Sequence, residues 1–104
     1  MSGGHFDYNQ YRINDIVDSI ERELNRQGKE KPKDELYGNK EYFDKYPDEK
    51  YYYTYPEKVQ EKMREAVKQL RIAAVYAQRV DWFLSGDDSD ESFIERLAED
   101  LNAL

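Results

Sequence analysis

The sequence has 104 residues, of which 38% are hydrophobic, 38% are charged and 14% are aromatic, and it contains no cysteine. This length allows one domain, residues 1–104, while the aromatic content argues against a disordered chain. The lack of cysteine excludes disulfides, thiolate metal sites and thiol redox switches. A core this small predicts that a homo-oligomer or a ligand buries the remaining apolar surface.

Charge is distributed unevenly along the chain. The formal net charge is −7, and residues 87–104 hold seven acidic side chains against one basic side chain, Arg96. Because an acidic surface repels the phosphate backbone, we expect no direct binding of nucleic acid. The first residues lack the basic and apolar regions of a signal peptide, and no apolar run is long enough to span a membrane. These features predict a cytoplasmic protein that does not bind membranes.

The first periodic segment predicts an amphipathic helix over residues 9–27. Its apolar residues recur at intervals of three and four and share one helical face: Ile13, Ile16, Val17, Ile20 and Leu24. Gly28 is suited to end this helix, and Arg26 suits the negative end of the helix dipole. Residues 29–33, which include Pro32, then predict an exposed connection.

An irregular tyrosine-rich segment follows at residues 34–55. It contains seven of the ten tyrosines and Phe43, which is too aromatic for a solvated linker. Residues 39–46 predict one short helix, and Tyr51 to Thr54 has the composition of an extended segment or a strand.

The longest helix is predicted at residues 56–84. Thr54 and Glu57 have the spacing of a capping box, and Pro56 is tolerated in a first helical turn. A heptad seam follows, with alternating spacings of four and three: Val59, Met63, Ala66, Leu70, Ala73, Ala77, Val80 and Leu84. This seam suits either a coiled-coil dimer or, because of its alanines, close packing within one chain.

A second stripe makes the long helix the predicted centre of the fold. It lies on a neighbouring face and consists of Ile72, Tyr76, Arg79 and Phe83. Ser85 and Gly86 end this helix, and Asp88 with Glu91 predicts a capping box for a last helix at residues 89–102. We therefore predict an all-α fold with three helices arranged around a long central one.

The candidate sites for binding lie near the two ends of the chain. Gly3 and Gly4 permit close approach to an anion, and His5 and Phe6 add a donor and a stacking face. The alternative is a frayed terminus.

Four residues of the long helix form the other candidate set: Tyr76, Arg79, Asp81 and Trp82. An arginine between aromatic rings suits a phosphate and a base. The alternative is that Arg79 pairs with an acid, such as Asp7 or Asp81, while Tyr76 and Trp82 complete the core.

No catalytic or metal site is predicted. The chain has a single histidine, no cysteine, and no spacing typical of a nucleophile beside a base. The acidic run at residues 87–91 lacks the glycine and the terminal glutamate of a calcium loop. We expect a protein that is not an enzyme, binds no metal and uses no cofactor.

Two stretches resemble a family of small uncharacterised proteins of tailed phages and prophages. They are SGGHFDY at residues 2–8 and YAQRVDWFLSGDD at residues 76–88, the latter running into Glu91, Ser92 and Phe93. The resemblance covers about a third of the chain and implies an origin in a mobile element. It also suggests that the two ends form one ligand site, in which His5, Phe6 and Tyr8 meet Tyr76, Arg79 and Trp82.

Two functions are compatible with these features. The first is sequestration of a phosphorylated, nucleotide-derived immune signal by a phage-type oligomer, because the chain combines aromatic surplus with a lack of catalytic groups. In that function, Arg79 would contact the phosphate. The second is inhibition of a basic host protein by the acidic last helix, in imitation of nucleic acid.

Overall fold

The computed structural model describes residues 4–104, and over this range the protein is all-α, as predicted. The helices are α1 (Tyr11–Arg26), α2 (Lys40–Lys45), α3 (Glu57–Leu84) and α4 (Asp90–Asn102). Short 3₁₀ turns occur at Lys33–Glu35 and Pro47–Lys50. The three predicted main helices are confirmed to within two residues of each end, and α2 confirms the short helix in the tyrosine-rich segment.

The tyrosine-rich segment folds back on itself between α1 and α3. Gly28 has a left-handed backbone with φ of 72° and donates a hydrogen bond from its N–H to the carbonyl of Tyr52 at 2.9 Å. An antiparallel bridge joins Glu30 to Tyr51, and α2 lies inside this loop with Phe43 buried. The segment is therefore an ordered protrusion beside the main helices.

Both predicted capping boxes are wrong in register. Pro56 occupies the N-cap of α3 in an extended conformation, so Thr54 lies too far upstream to cap the helix, and no side chain does so. Ser89 caps α4 by accepting a hydrogen bond from the N–H of Ser92 at 3.2 Å. Asp88 is one residue too early for this role, and it is instead buried in an ion pair.

The helices α1 and α4 each pack against α3, on two different sides of it. Both run antiparallel to α3. For α1 this follows from the contacts of Gln10 with Gln78 and of Gln27 with Tyr55. For α4 it follows from the 4.9 Å separation of the Phe83 and Phe93 ring centroids together with the Arg79–Asp100 contact. The central position predicted for the long helix is confirmed.

The molecule is consequently a single layer of helices. It measures 65 × 31 × 15 Å, and its radius of gyration is 20.2 Å, whereas a compact domain of this length has a radius of gyration of about 13 Å. A single layer leaves no second layer against which to bury the apolar faces of the helices. Within residues 4–104, the buried hydrophobic residues are only Val17 and Phe43.

The two faces of this layer differ in the side chains that they carry. A groove across all three main helices marks one face, which we call the polar face after Asn14, Arg71, Gln78 and Asp100. The apolar residues Ala74, Val75 and Leu104 also line this groove. The helical repeat places the other side chains on the reverse side, which we call the apolar face. Its members are Ile13 and Ile16 of α1, Ala66, Ala73, Tyr76, Ala77 and Leu84 of α3, and Ile94 of α4. The face therefore includes much of the heptad seam, of which Ala73 and Leu84 are exposed.

None of the helices within residues 4–104 has the length and apolar character needed to cross a membrane.

Candidate functional site

Residues 4–10 form a series of turns that leads into α1. The N–H of Asn9 donates to the carbonyl of Phe6 at 3.0 Å, and the N–H of Tyr11 donates to the carbonyl of Tyr8 at 3.1 Å. Asp7 and Tyr8 have positive φ angles of 51° and 63°. Because left-handed backbone is unfavourable for residues other than glycine, specific contacts must hold this segment in place.

Asp81 supplies the main one of these contacts. It exposes 3% of its surface, and its Oδ1 accepts a hydrogen bond from the N–H of Phe6 at 2.8 Å. Gly4 has a φ of 61°, and a Cβ at this position would lie 2.6 Å from Asp81 Oδ2. Only glycine fits so close to the carboxylate, so Gly4 and Asp81 together dock the segment on α3. Gly3 lies outside the described residues.

The docked segment borders a cleft of about 480 Å³, which we call the N-terminal cleft. Its lining consists of His5, Phe6, Asp7, Asn9, Gln10, Ile13 and Ala77. The rings of His5 and Phe6 meet edge to face, with centroids 5.2 Å apart. The cleft thus combines an aromatic wall with imidazole and carboxamide groups, which both donate and accept hydrogen bonds.

Gln10 is a cleft residue whose buried side chain has an incomplete set of hydrogen bonds. It exposes 5% of its surface, and its Nε2 donates to Oε1 of Gln78 at 2.9 Å. Its own Oε1 is buried and accepts no hydrogen bond from residues 4–104. A buried acceptor without a partner costs about 1–3 kcal/mol. A donor on a ligand in the cleft would remove this cost once the Gln10 side chain turned its Oε1 toward the cleft.

Arg79 lies in a different environment. Its Nε donates to Oδ2 of Asp100 at 2.6 Å, its Nη1 lies 3.9 Å from Oδ2 of Asp88, and its guanidinium stacks on Trp82 at 4.7 Å. The hydrogen bond from Arg79 lowers the pKa of Asp100. Asp88 also accepts from Nη1 of Arg96 at 2.6 Å. Arg79 therefore joins α3 to α4, which is the pairing with acids that we considered as the alternative.

The predicted site residues are thus divided between two sides of α3. Asp81 and Arg79 are two residues apart, which is a rotation of about 200° around the helix. Asp81 meets the N-terminal segment on one side, whereas Arg79 meets α4 on the other. Within one protomer, His5 and Phe6 therefore lie at a cleft whose lining does not include Tyr76, Arg79 or Trp82.

The remaining predicted site residues lie outside the N-terminal cleft. Tyr8 packs against Tyr11, with ring centroids 5.9 Å apart, and Tyr76 is exposed on the apolar face. Sequence reasoning missed Gln10 as a cleft residue and gave Asp81 no docking role. A polar residue at the start of a helix carries no sequence signal of burial, because its partner Gln78 is remote in the chain.

Comparisons with known protein families, curated proteins and solved structures find no match. The case for a function therefore depends on the geometry of the chain itself. Across residues 4–104, no three His, Asp or Glu side chains are grouped closely enough to hold a metal ion.

Proposed function

We propose that the protein is a non-catalytic binding protein that takes a nucleotide-derived small molecule into the N-terminal cleft. The observation that carries this proposal is the buried and unpartnered Oε1 of Gln10 in the lining of the cleft. An amino or imino group on the edge of a nucleobase is a suitable donor for this oxygen, and the ring of Phe6 offers a surface for stacking.

The part of the ligand that the cleft would recognise differs from the phosphate expected from the sequence. Arg79 is already paired with two carboxylates, so it is not the phosphate contact in this proposal. Among the cleft residues, His5 is the one basic side chain, while Asp7 repels an anion. The base of the ligand is therefore the part that the cleft recognises, and any phosphate lies near His5.

Binding is favoured over catalysis by the composition of the lining. It includes no serine, threonine, lysine or cysteine that a neighbouring base would activate as a nucleophile. Together with the resemblance to phage proteins, this supports a counter-defence role in which the protein sequesters a nucleotide signal of the host. Release of an altered product would contradict this role.

The proposal is tested with a library of mononucleotides and linear and cyclic dinucleotides, using thermal shift followed by calorimetry. At least one compound should stabilise the protein. Gln10→Leu should weaken its binding about tenfold, because one hydrogen bond to a buried acceptor is worth about 1–1.5 kcal/mol. Asn25→Leu, which changes an exposed carboxamide of α1 outside the cleft, is the matched control. A library without any stabilising compound, or equal binding by both variants, overturns the proposal.

The acidic inhibitor is retained as the second candidate because of one feature of α4. Glu91, Glu95 and Glu99 recur every four residues and are exposed, and no ion pair within residues 4–104 involves them. Such a stripe suits a basic protein surface. A nucleotide screen without a hit, followed by binding to a DNA-binding protein in competition with DNA, would establish this candidate instead.

A further inference from the structure

The single layer exposes much more surface than a monomer of its mass normally does. The chain exposes 7973 Å² at a mass of 12.5 kDa, whereas folded monomers of that mass expose about 6,200 Å². The excess is about 1,800 Å², and a stable interface buries about 800 Å² on each partner. The excess is therefore large enough for an extensive interface.

The excess surface includes exposed apolar side chains of the apolar face. Ile94 exposes 67% of its surface, Leu84 54%, Ile16 50% and Tyr76 46%, and these residues come from all three main helices. Ala73 lies between them, exposed in the middle of the longest helix. The groove on the opposite face is lined by charged and amide side chains together with Ala74, Val75 and Leu104. An apolar face of this extent normally marks an interaction surface.

We propose that a second copy of this chain covers the apolar face, with the two α3 helices packed antiparallel across a two-fold axis at Ala73. The alanines at positions 66, 73 and 77 leave little side chain between the helices and so permit close approach. A two-fold axis near the middle of α3 gives the greatest overlap of the two apolar faces, and each contact then occurs twice, with residue i meeting residue j and residue j meeting residue i. Ile13 and Ala77 belong both to this face and to the lining of the N-terminal cleft, so the cleft borders the proposed interface.

Charge selects the antiparallel arrangement over a parallel one. Residues 57–71 of α3 carry five basic and three acidic side chains, whereas residues 87–104 carry a net charge of −6. With the axis at Ala73, Lys62 lies at the level of Leu84 in the partner. The contact of Phe83 with Phe93 shows that the start of α4 is at this same level. Lys62 thus lies near Glu91 of the partner subunit. In a parallel pair, by contrast, the acidic residues at the start of α4 would lie beside the same residues of the partner.

Cysteine cross-linking tests this geometry cleanly because the chain has no cysteine of its own. A disulfide requires Cα atoms within about 7 Å. Ala73→Cys on the axis should therefore form a covalent dimer under mild oxidation. Leu84→Cys should not cross-link to itself, because the two copies of residue 84 would be about 33 Å apart along the helices. A mixture of the Leu84→Cys and Lys62→Cys variants should cross-link. Lys68→Cys lies on the polar side of α3 and should not cross-link, so it is the control.

Sedimentation over a concentration series tests whether the dimer forms without a cross-link. The native chain should be dimeric, and Ala73→Arg should raise the dimer dissociation constant about a hundredfold or more, because it places two unpaired like charges at the axis. Ala103→Arg adds the same charge at an exposed alanine beyond α4 and should leave association unchanged. Circular dichroism of each variant separates lost association from lost folding.

A charge exchange tests the orientation independently. Lys62→Glu should weaken the dimer about tenfold, because the repulsion appears twice by symmetry, and adding Glu91→Lys should restore association. A native chain that stays monomeric at all concentrations overturns the proposal. Self-cross-linking of Leu84→Cys indicates a parallel pair and overturns it as well, as does failure of Ala73→Cys to cross-link in a chain that is dimeric by sedimentation.

Discussion

Replacing Gly4 with alanine should release the N-terminal segment from α3 while the main helices stay folded. The substitution acts in two ways. It places a side chain on backbone with a φ of 61°, and it puts a Cβ 2.6 Å and 2.8 Å from the carboxylate oxygens of Asp81. Asp81 is held by its hydrogen bond from the N–H of Phe6, so it has to break this bond in order to move away.

The expected cost follows from these two effects. Left-handed backbone costs a non-glycine residue about 1–2 kcal/mol, and a hydrogen bond to a charged group contributes about 1.5–3 kcal/mol. Together they reduce the free energy of docking of residues 4–10 by about 3 kcal/mol. The loss is limited to this docking energy, because the segment can detach without unfolding α1, α3 or α4.

Amide hydrogen exchange measures this effect at the N–H of Phe6, which should exchange about a hundredfold faster in Gly4→Ala. Gly86→Ala is the matched control. Gly86 also has a positive φ, of 85°, but a Cβ there would meet nothing within 4 Å. It should therefore lower overall stability by about 1–2 kcal/mol without selectively exposing Phe6. Unchanged exchange at Phe6 in Gly4→Ala would refute the docking role of Asp81.

Two further predictions concern the packing of α3. The hydrogen bond from Arg79 lowers the pKa of Asp100, so its contribution to stability is complete above the unfolded-state pKa of about 4 and is lost as the pH falls through the lower folded-state pKa. In urea titrations over this acidic range, Arg79→Ala should therefore show a weaker pH dependence than the native chain, and equal slopes would contradict the pairing. Leu70→Asp should unfold the protein or abolish its assembly, because an unpaired carboxylate in the seam costs several kcal/mol, whereas Glu99→Lys should melt close to the native temperature. Similar melting of the two variants would show that these faces are assigned wrongly.

The sequence predicts the main helices well because each has a strong local signal. The apolar spacing of α1 and the heptad seam of α3 report directly on helical faces, and Gly28 and Gly86 mark helix ends by their backbone conformations. The capping residues of α3 and α4 were predicted two positions and one position too early. For α3, the local spacing does not reveal how Pro56 changes the course of the backbone at the start of the helix. Short-range pattern therefore located helices better than it located their first residues.

The candidate site was predictable only in part because it depends on long-range pairing. Arg79 pairs with Asp100 and is therefore not free to bind a ligand. Only the packing of α4 brings Asp100 Oδ2 within 2.6 Å of Arg79 Nε. In the same way, Gln10 is buried by Gln78, 68 residues further along the chain. His5 and Phe6 were proposed from their chemistry beside two glycines and from a resemblance at the N-terminus, and the structure places both at the cleft.

The unequal connections between the helices set the order in which they dock. Five residues join α3 to α4, whereas thirty residues separate α1 from α3. Closing the longer loop costs about 1.6 kcal/mol more in chain entropy. The α3–α4 hairpin should therefore form early in folding, and α1 should dock last. Because the start of α1 and the face of α3 together build the N-terminal cleft, the cleft exists only after this late step, and its ligand would stabilise the docked position of α1.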